Sequence, residues 1–374
     1  MSKIIGIKYI APLLDGSGYA RAARDYVLAL YNLGIQLTIE PMVFEQAKPD
    51  FGKSKEIFDY LIGRDIEYNI VLIHSTPEFY SKYKEAGKLN IGYTIWETTK
   101  LHTSWSRLIN NNIDKVMVGC DWNVEVFKES GVTIPICCIP HTISNTDANG
   151  IEEYNISGIK DSTYVFGFVG QFTERKDPVS LLKAFWYAFQ NKEDVALVFK
   201  SYRSDYSDQE KEAVKFTIQK LKKVTVFDNY PPIHFIPDML TEDEMRGLYK
   251  RMDCYLSLDR GEGFGLAPFT AGAYGKPVIA TGFGGVNQYL KKDNSYLVDY
   301  TLTPVHGMPY SPWYNATQLW AQANVLDGAK KMREVFTNQP QAKVKGLRLK
   351  EFINTNFSYE VIGKKIVKEI EVML

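Results

Sequence analysis

Few residues in this chain have chemical reach, and most of them sit in glycine-rich turns. In "RGEGFGLAPFTAGAYGKPVIATGFGG", residues 260–285, one carboxylate, Glu262, stands between Gly261 and Gly263 directly before a short helical pattern that stops at Gly275. The apolar run "DCYLSLD" before it reads as a strand, so Glu262 lies in a strand-to-helix turn. Glycines on both sides leave room for a bulky polar ligand. The amides of Phe264, Gly265 and Leu266 point from a helix N-terminus, where unpaired N–H groups favour an anion. Glu262 can accept hydrogen bonds from vicinal hydroxyls while those amides hold a phosphate two bonds away. A sugar phosphate suits this turn better than a metal, because no other carboxylate or His is read near it in sequence. Glu262 merely facing its own helix dipole leaves three glycines without a reason. Thr270, eight residues on, is the other side chain here that could hydrogen-bond from the same face.

Two further loops carry similar signals. In "FGFVGQFTERKDPVSLLKAF" a strand ends at Gly170, and Gln171, Thr173, Arg175 and Lys176 follow before Pro178 opens a helix. Two cations ahead of a helix start repel each other and the helix dipole, and both are relieved by a bound phosphate. A solvated loop is the plainer alternative on this segment alone. In "LLDGSGYARAARD", Gly16 and Gly18 flank Ser17 where a first helix begins. A tight strand-to-helix turn explains that pair as well as ligand approach does, and the dinucleotide fingerprint lacks its third Gly. His74 and His141 end apolar runs, where a His serves either as a satisfied structural donor or as a substrate contact. The aromatic stretch "GMPYSPWYNATQLW" reads as packing with a partial acceptor role.

These residues need a scaffold that brings strand ends together. Short apolar runs alternate with amphipathic stretches almost from end to end, in two series separated by the polar segment 144–162. Two βα series imply an α/β protein with two open parallel sheets covered by helices on both faces. The expected domains are 1–150 and 151–357. Ligands in such sheets bind beyond the carboxyl ends of the strands, which points to the gap between the domains. "TEDEMRGLYKRM" opens with a Thr241-x-x-Glu244 capping box, and "KVKGLRLK" (343–350) reads as a solvated helix face.

The bulk numbers set bounds. With 374 residues, 45% of them hydrophobic, the chain exceeds one ordinary core. Forty-four basic residues balance 44 acidic ones, so no global field steers the protein onto nucleic acid or an anionic membrane. Cys120, Cys137, Cys138 and Cys254 make no disulfide framework, and "IPICCIP" reads as a strand with buried thiols. The N-terminal run is broken by Lys8 and resembles a strand more than a signal peptide. No run approaches the ~18 apolar residues of a membrane span. Cytoplasm is the expected location, with peripheral membrane contact left open.

The segments "EGFGL…A…G.PVIAT..GG", "MDCYLSLDRGEGFGLAPF", "CDWNVEVFKESGV…IPH" and "FSYEVIGKKIVKEI" resemble the retaining glycosyltransferases of family four. "GYTIWET" and "YLVDYTLTPVHGMPYSPWYNATQLWA" further resemble a bacterial-type subgroup of it. The resemblance covers nearly the whole chain. It implies the GT-B fold, two Rossmann-like domains facing a deep cleft, with the first on the acceptor side and the helix of 358–374 packing back on it. It implies metal-independent transfer of a sugar from a nucleotide diphosphate to a hydroxyl, with retention and without a cofactor; UDP or GDP is the expected nucleotide. The acceptor is open between a glycan, a lipid-linked glycan, a protein and a modified nucleic acid. Position by position, Glu262 matches the carboxylate that holds sugar hydroxyls, Lys176 the diphosphate-binding lysine, and Gly16 and Gly18 the N-terminal glycine loop. Gly263, Phe264, Gly265 and Leu266 fall in the donor-binding turn.

Three positions depart from the family pattern. Thr270 stands where a second Glu grips the ribose, and losing such a charge-assisted bond costs about 1.5–3 kcal/mol. Gln171 replaces an Arg, with Arg175 as the neighbouring substitute. Glu97, in "WETT", occupies the place of a His near the transferred sugar. Two rivals stand beside this reading: a nucleotide-sugar epimerase on the same fold, and an inactive sugar-nucleotide-binding or scaffold protein.

Overall fold

The computed structural model describes residues 4–42, 51, 54–144, 151–190 and 193–374. The chain divides into two units, residues 1–145 with 354–374, and residues 146–353. Part of the polar segment proposed as a linker, 145–150, lies outside the described residues, as does the expected boundary after 150.

In the first unit the apolar runs become six strands: β1 (Ile7–Ala11), β2 (Leu37–Pro41), β3 (Ile70–His74), β4 (Leu89–Tyr93), β5 (Lys115–Val118) and β6 (Ile136–Cys138). All pair in parallel, in the order β2-β1-β3-β4-β5-β6. Every residue of β3 is buried, as expected of a strand covered on both faces. Helices α1 (Gly18–Asn32), α2 (Lys55–Leu61), α3 (Tyr80–Tyr83), α4 (Thr103–Asn112) and α5 (Asp121–Glu129) connect them. α1 ends before Gly34, which takes φ +75°, and Ser17 caps its start by accepting from Ala20 N at 3.1 Å. The chain reverses direction across the sheet between β1 and β3, so the glycine loop after β1 and His74 at the end of β3 share one sheet edge. The four cysteines are free thiols, of which Cys137 is half-buried and the others buried.

The second unit repeats the plan with β7 (Tyr164–Gln171), α6 (Pro178–Ala188), β8 (Val195–Tyr202), α7 (Asp208–Thr225), β9 (Ile233–Ile236), α8 (Glu242–Arg251), β10 (Cys254–Ser257), α9 (Leu266–Ala273), β11 (Val278–Thr281) and β12 (Tyr296–Val298). Its parallel order is β12-β11-β10-β7-β8-β9. β7 and β10, far apart in sequence, are therefore central neighbours, and the chain reverses across the sheet between them. The two turns richest in candidate residues follow these two strands. The capping box of α8 forms as read, with Thr241 and Glu244 bonded reciprocally.

The run "SYLVDY", which reads as one strand, spans parts of two. Asp299 breaks it, donating its N–H to Asp327 Oδ2 at 2.9 Å and accepting from Asn324 N at 2.7 Å. Beyond it, β13 (Tyr300–Pro304) pairs antiparallel with β14 (Leu319–Ala323). α10 (Val325–Thr337) then packs on α6 over a core of Phe166, Phe185, Phe189 and Met332.

α11 (Gln339–Asn356) presents Lys343 and Arg348 to solvent, while Gly346 and Leu349 are buried. α12 (Tyr359–Glu371) lies on α1. Its Glu369 takes the buried Lys115 ammonium at 2.5 Å, and its Tyr359 hydroxyl bonds Asp25.

α9 owes its position to α11. A Cβ at Gly346 would lie 2.3 Å from Gly275 O and 2.8 Å from Pro277 N, which is backbone that cannot swing aside. Gly346→Ala should destabilise the second unit by about 1–3 kcal/mol, as overpacking does. Urea unfolding of wild type and variant measures it, and an unchanged midpoint contradicts the close contact.

Candidate functional site

The loop after β7 turns into α6 through Asp177, a non-glycine residue at φ 38°. Such a left-handed conformation costs of order 1 kcal/mol or more and needs outside support. Asp177 has three partners. It caps Ser180 N at 3.2 Å, pairs with Arg260 Nη2 at 2.9 Å and accepts from Gln322 Nε2 at 3.1 Å. Just before this bend the main chain of Arg175 accepts from Arg260 N at 2.7 Å, tying the β7 loop to the β10 loop.

Across that tie the side chains converge. Glu262 is 8% exposed. Arg175 Nη1 donates to its Oε1 at 2.8 Å and to Gly261 O at 2.8 Å. Lys176 Nζ donates to the same Glu262 oxygen and, at 3.2 Å, to Asp259 Oδ2. Asp259 corrects the sequence reading, which counts no other carboxylate near Glu262. It lies three residues upstream, and its signal was only that of a polar end to an apolar run. Its second oxygen, Oδ1, is buried with no hydrogen-bond partner. Thr281 Oγ1 is in the same condition, and Ser257, Asp259, Glu262, Thr281 and Val286 line one small recess.

The electrostatics divide the two carboxylates. Burial alone would raise both. For Glu262 the charges of Lys176 and Arg175 outweigh burial and hold it below the ordinary carboxylate range. For Asp259 burial, helped by the negative charge of Glu262, outweighs Lys176 and pushes it up. Burial works against the charged form of Lys176, but Asp259 and Glu262 keep it above its usual value.

The glycines of "GEGFG" and "FGG" are explained by contact. Gly285 N donates to Glu262 O at 2.7 Å, and a Cβ at Gly285 would meet Gly263 O at 2.1 Å. Gly265 caps α9 at φ 87°, beneath the Tyr289 hydroxyl, which donates to Gly265 O at 2.7 Å. Phe264 turns its ring into an aromatic group with Phe269 and Tyr289. Leu266 starts the helix, and its carbonyl accepts the Thr270 hydroxyl at 2.8 Å. Thr270 is thus buried and engaged with its own helix. The Gln171 amide donates to Arg203 O at 2.6 Å.

Sequence reading missed the buttress. Arg260 reaches Glu174 O, Gln322 Oε1 and Asp177, with its guanidinium 5.5 Å from the Trp320 ring centroid. Ala321 N donates to Arg260 O at 2.8 Å. β14 therefore holds both loops. Of the aromatic stretch read as packing with a partial acceptor role, Trp320 is buried here and Tyr310 is exposed.

The other candidates belong to the first unit. Gly16 and Gly18 are exposed, and neither is among the glycines at positive φ. Buried Asp15 accepts from Ser17 N at 2.9 Å, and its carbonyl takes Arg24 Nη1 at 3.0 Å. Glu97 is half-buried in a loop fixed by Trp96, whose indole donates to Thr98 Oγ1 and whose backbone exchanges two bonds with Asn123. His74 and His141 are buried among tyrosines. His74 Nδ1 lies 2.8 Å from the Tyr9 hydroxyl, and His141 Nδ1 lies 3.2 Å from that of Tyr26. His74 Nε2 is buried without a hydrogen-bond partner.

Residues 151–301 match the family model Glycosyl transferases group 1. That span contains Arg175, Lys176, Asp259 and Glu262. Along 98% of both chains the protein is 22% identical to "Uncharacterized protein 356" of Sulfolobus islandicus rod-shaped virus 1. Among solved structures, Alr3699/HepE of Anabaena in complex with UDP-glucose is 13% identical and is matched over 99% of this chain and all of that one, with TM-score 0.65. Sucrose-phosphate synthase of Thermosynechococcus elongatus is 13% identical, matched over 98% of each chain, with TM-score 0.68. The two six-stranded parallel sheets are those of the GT-B fold. Among the described residues no helix is long and apolar enough to cross a membrane.

The buried histidines carry a pH signature. Burial lowers both, His141 to about 3, so in the folded chain they stay neutral well below 6.5. Unfolded, they charge as pH falls through 6.5. Stability is therefore full above that pH and is lost below it, by about 1.4 kcal/mol per pH unit for each such histidine. His141→Asn should flatten the dependence of urea stability between pH 6 and 4.5 relative to wild type; an unchanged slope contradicts the buried neutral ring.

Proposed function

We propose that this protein transfers a sugar from a nucleotide diphosphate to a hydroxyl acceptor, with retention at the anomeric carbon. One observation carries the reading: within the span that matches the group 1 glycosyl transferases, Arg175 and Lys176 converge on the buried Glu262. In this reading Lys176 and Arg175 take the diphosphate, joined by the amides that follow Gly263. Glu262 accepts from hydroxyls of the sugar. UDP is the first nucleotide to try, since the Anabaena neighbour is a complex with UDP-glucose.

Charge that develops on the departing diphosphate would be stabilised by these preorganised cations and amides, without a metal ion. Attack is assigned to the acceptor hydroxyl on the face of the leaving group, with the leaving phosphate taking its proton. Glu97 and the Gly16–Gly18 loop enter through the family resemblance as partners of the transferred sugar and the diphosphate. The acceptor is a hydroxyl on a glycan, lipid-linked glycan, protein or modified nucleic acid.

The test is direct. Glu262→Ala and Lys176→Ala should each reduce transfer from UDP-sugars by 100-fold or more, about the effect of losing one preorganised electrostatic contact. Far-UV circular dichroism should stay wild-type. Because an unpaired buried charge costs about 3–5 kcal/mol, Glu262→Gln and Lys176→Met serve as isosteric checks. Wild-type turnover in any of the four defeats the assignment. Release of an altered free sugar nucleotide without acceptor would indicate an epimerase. A panel of UDP, GDP, ADP and TDP that leaves the melting temperature unmoved, where saturation at 100 Kd stabilises by about 2.7 kcal/mol, would indicate a scaffold.

A further inference from the structure

We propose that Asp259 is a positioning residue for Lys176: it shares the ammonium with Glu262, and by taking up a proton it releases Lys176 to an arriving diphosphate. This rests on the donor reading above.

The geometry makes the two carboxylates unequal. Glu262 Oε1 receives two cations, Lys176 and Arg175, whereas Asp259 pairs with one cation, Lys176, through Oδ2 at 3.2 Å. Asp259 Oδ1 is buried without a partner, beside Ser257 and the equally unpartnered Thr281 hydroxyl. An ionised Asp259 is therefore compensated through Oδ2 only, by a cation it shares with Glu262, and a buried charge is tolerated only when paired.

Two cations and two carboxylates balance. A diphosphate brought onto Lys176 and Arg175 leaves the cluster with excess negative charge in a buried place. The least costly relief is a proton on the carboxylate with the fewest partners, which is Asp259. The groups around it do not supply an alternative. Glu262 is held by two cations, Ser257 and Thr281 are neutral, and the phenols of Tyr255 and Tyr289 are pushed up by burial and stay protonated. Burial pushes Asp259 up as well, so the proton is within reach of neutral pH.

The probe is UDP with the full-length chain, titrated by calorimetry in buffers of different ionisation enthalpy at pH 7.5 and 8.5. The terminal phosphate of UDP ionises near pH 6, as phosphate monoesters do, so the nucleotide itself is not the group being titrated. Wild type should take up a proton on binding, up to one per UDP. Its affinity should fall as pH rises, by up to tenfold per unit. Asp259→Asn should bind UDP without proton uptake and with no such fall, and Asp259→Glu should restore both. Equal uptake in wild type and Asp259→Asn, or binding by wild type with no uptake, overturns this proposal and leaves the donor reading standing. Failure of folded wild type to bind UDP, GDP, ADP or TDP overturns both. Should Asp259→Asn not fold, Asp259→Ser and the wild-type uptake decide the question.

Discussion

A carboxylate as buried as Glu262 is stable only because two cations reach it, and that constraint organises the second unit. An isolated charge at such a site would cost several kcal/mol. Arg175 and Lys176 offset that cost, and they come from the loop of another strand. The pairing therefore welds the end of β7 to the end of β10. The same contact that satisfies the charge gathers three ionisable groups within a few ångströms of one another. Any anion that competes for the cations acts directly on Glu262.

The weld depends on topology and on support from behind. Sheet order makes β7 and β10 neighbours at the reversal of the strand sequence, where parallel sheets leave diverging loops. Support comes from Arg260, which reads the bend at Asp177 on one side and β14 on the other. Gly285 presses on the turn from below, backbone against backbone. The strained conformation of Asp177 persists because Ser180, Arg260 and Gln322 all hold it.

Much of this was legible in residue types and spacing. Glycines around Glu262 mark close approach, Pro178 marks a helix start, and alternation of apolar runs marks two parallel sheets. Each of these signals is local. What escaped was non-local. Asp259 looks like the polar end of a strand until Lys176 is brought to it by the pairing of β7 with β10. Gln322 in "LWAQA" carries no mark of its own, since its partners Asp177 and Arg260 lie 145 and 62 residues away. The break at Asp299 was hidden because strand propensity runs straight through "SYLVDY" while the bonds that stop it come from Asp327 and Asn324. Thr270, a hydroxyl at the right spacing for a ligand, donates to its own helix, a bond that spacing alone does not reveal.

The antiparallel pair β13–β14 has a consequence of its own. Its strands are pinned, one through the ladder and the other through Arg260, but half of the 305–318 segment joining them is exposed. Insertions and deletions accumulate where backbone is solvated. That connection can accordingly change in length and composition while the charged cluster keeps its geometry.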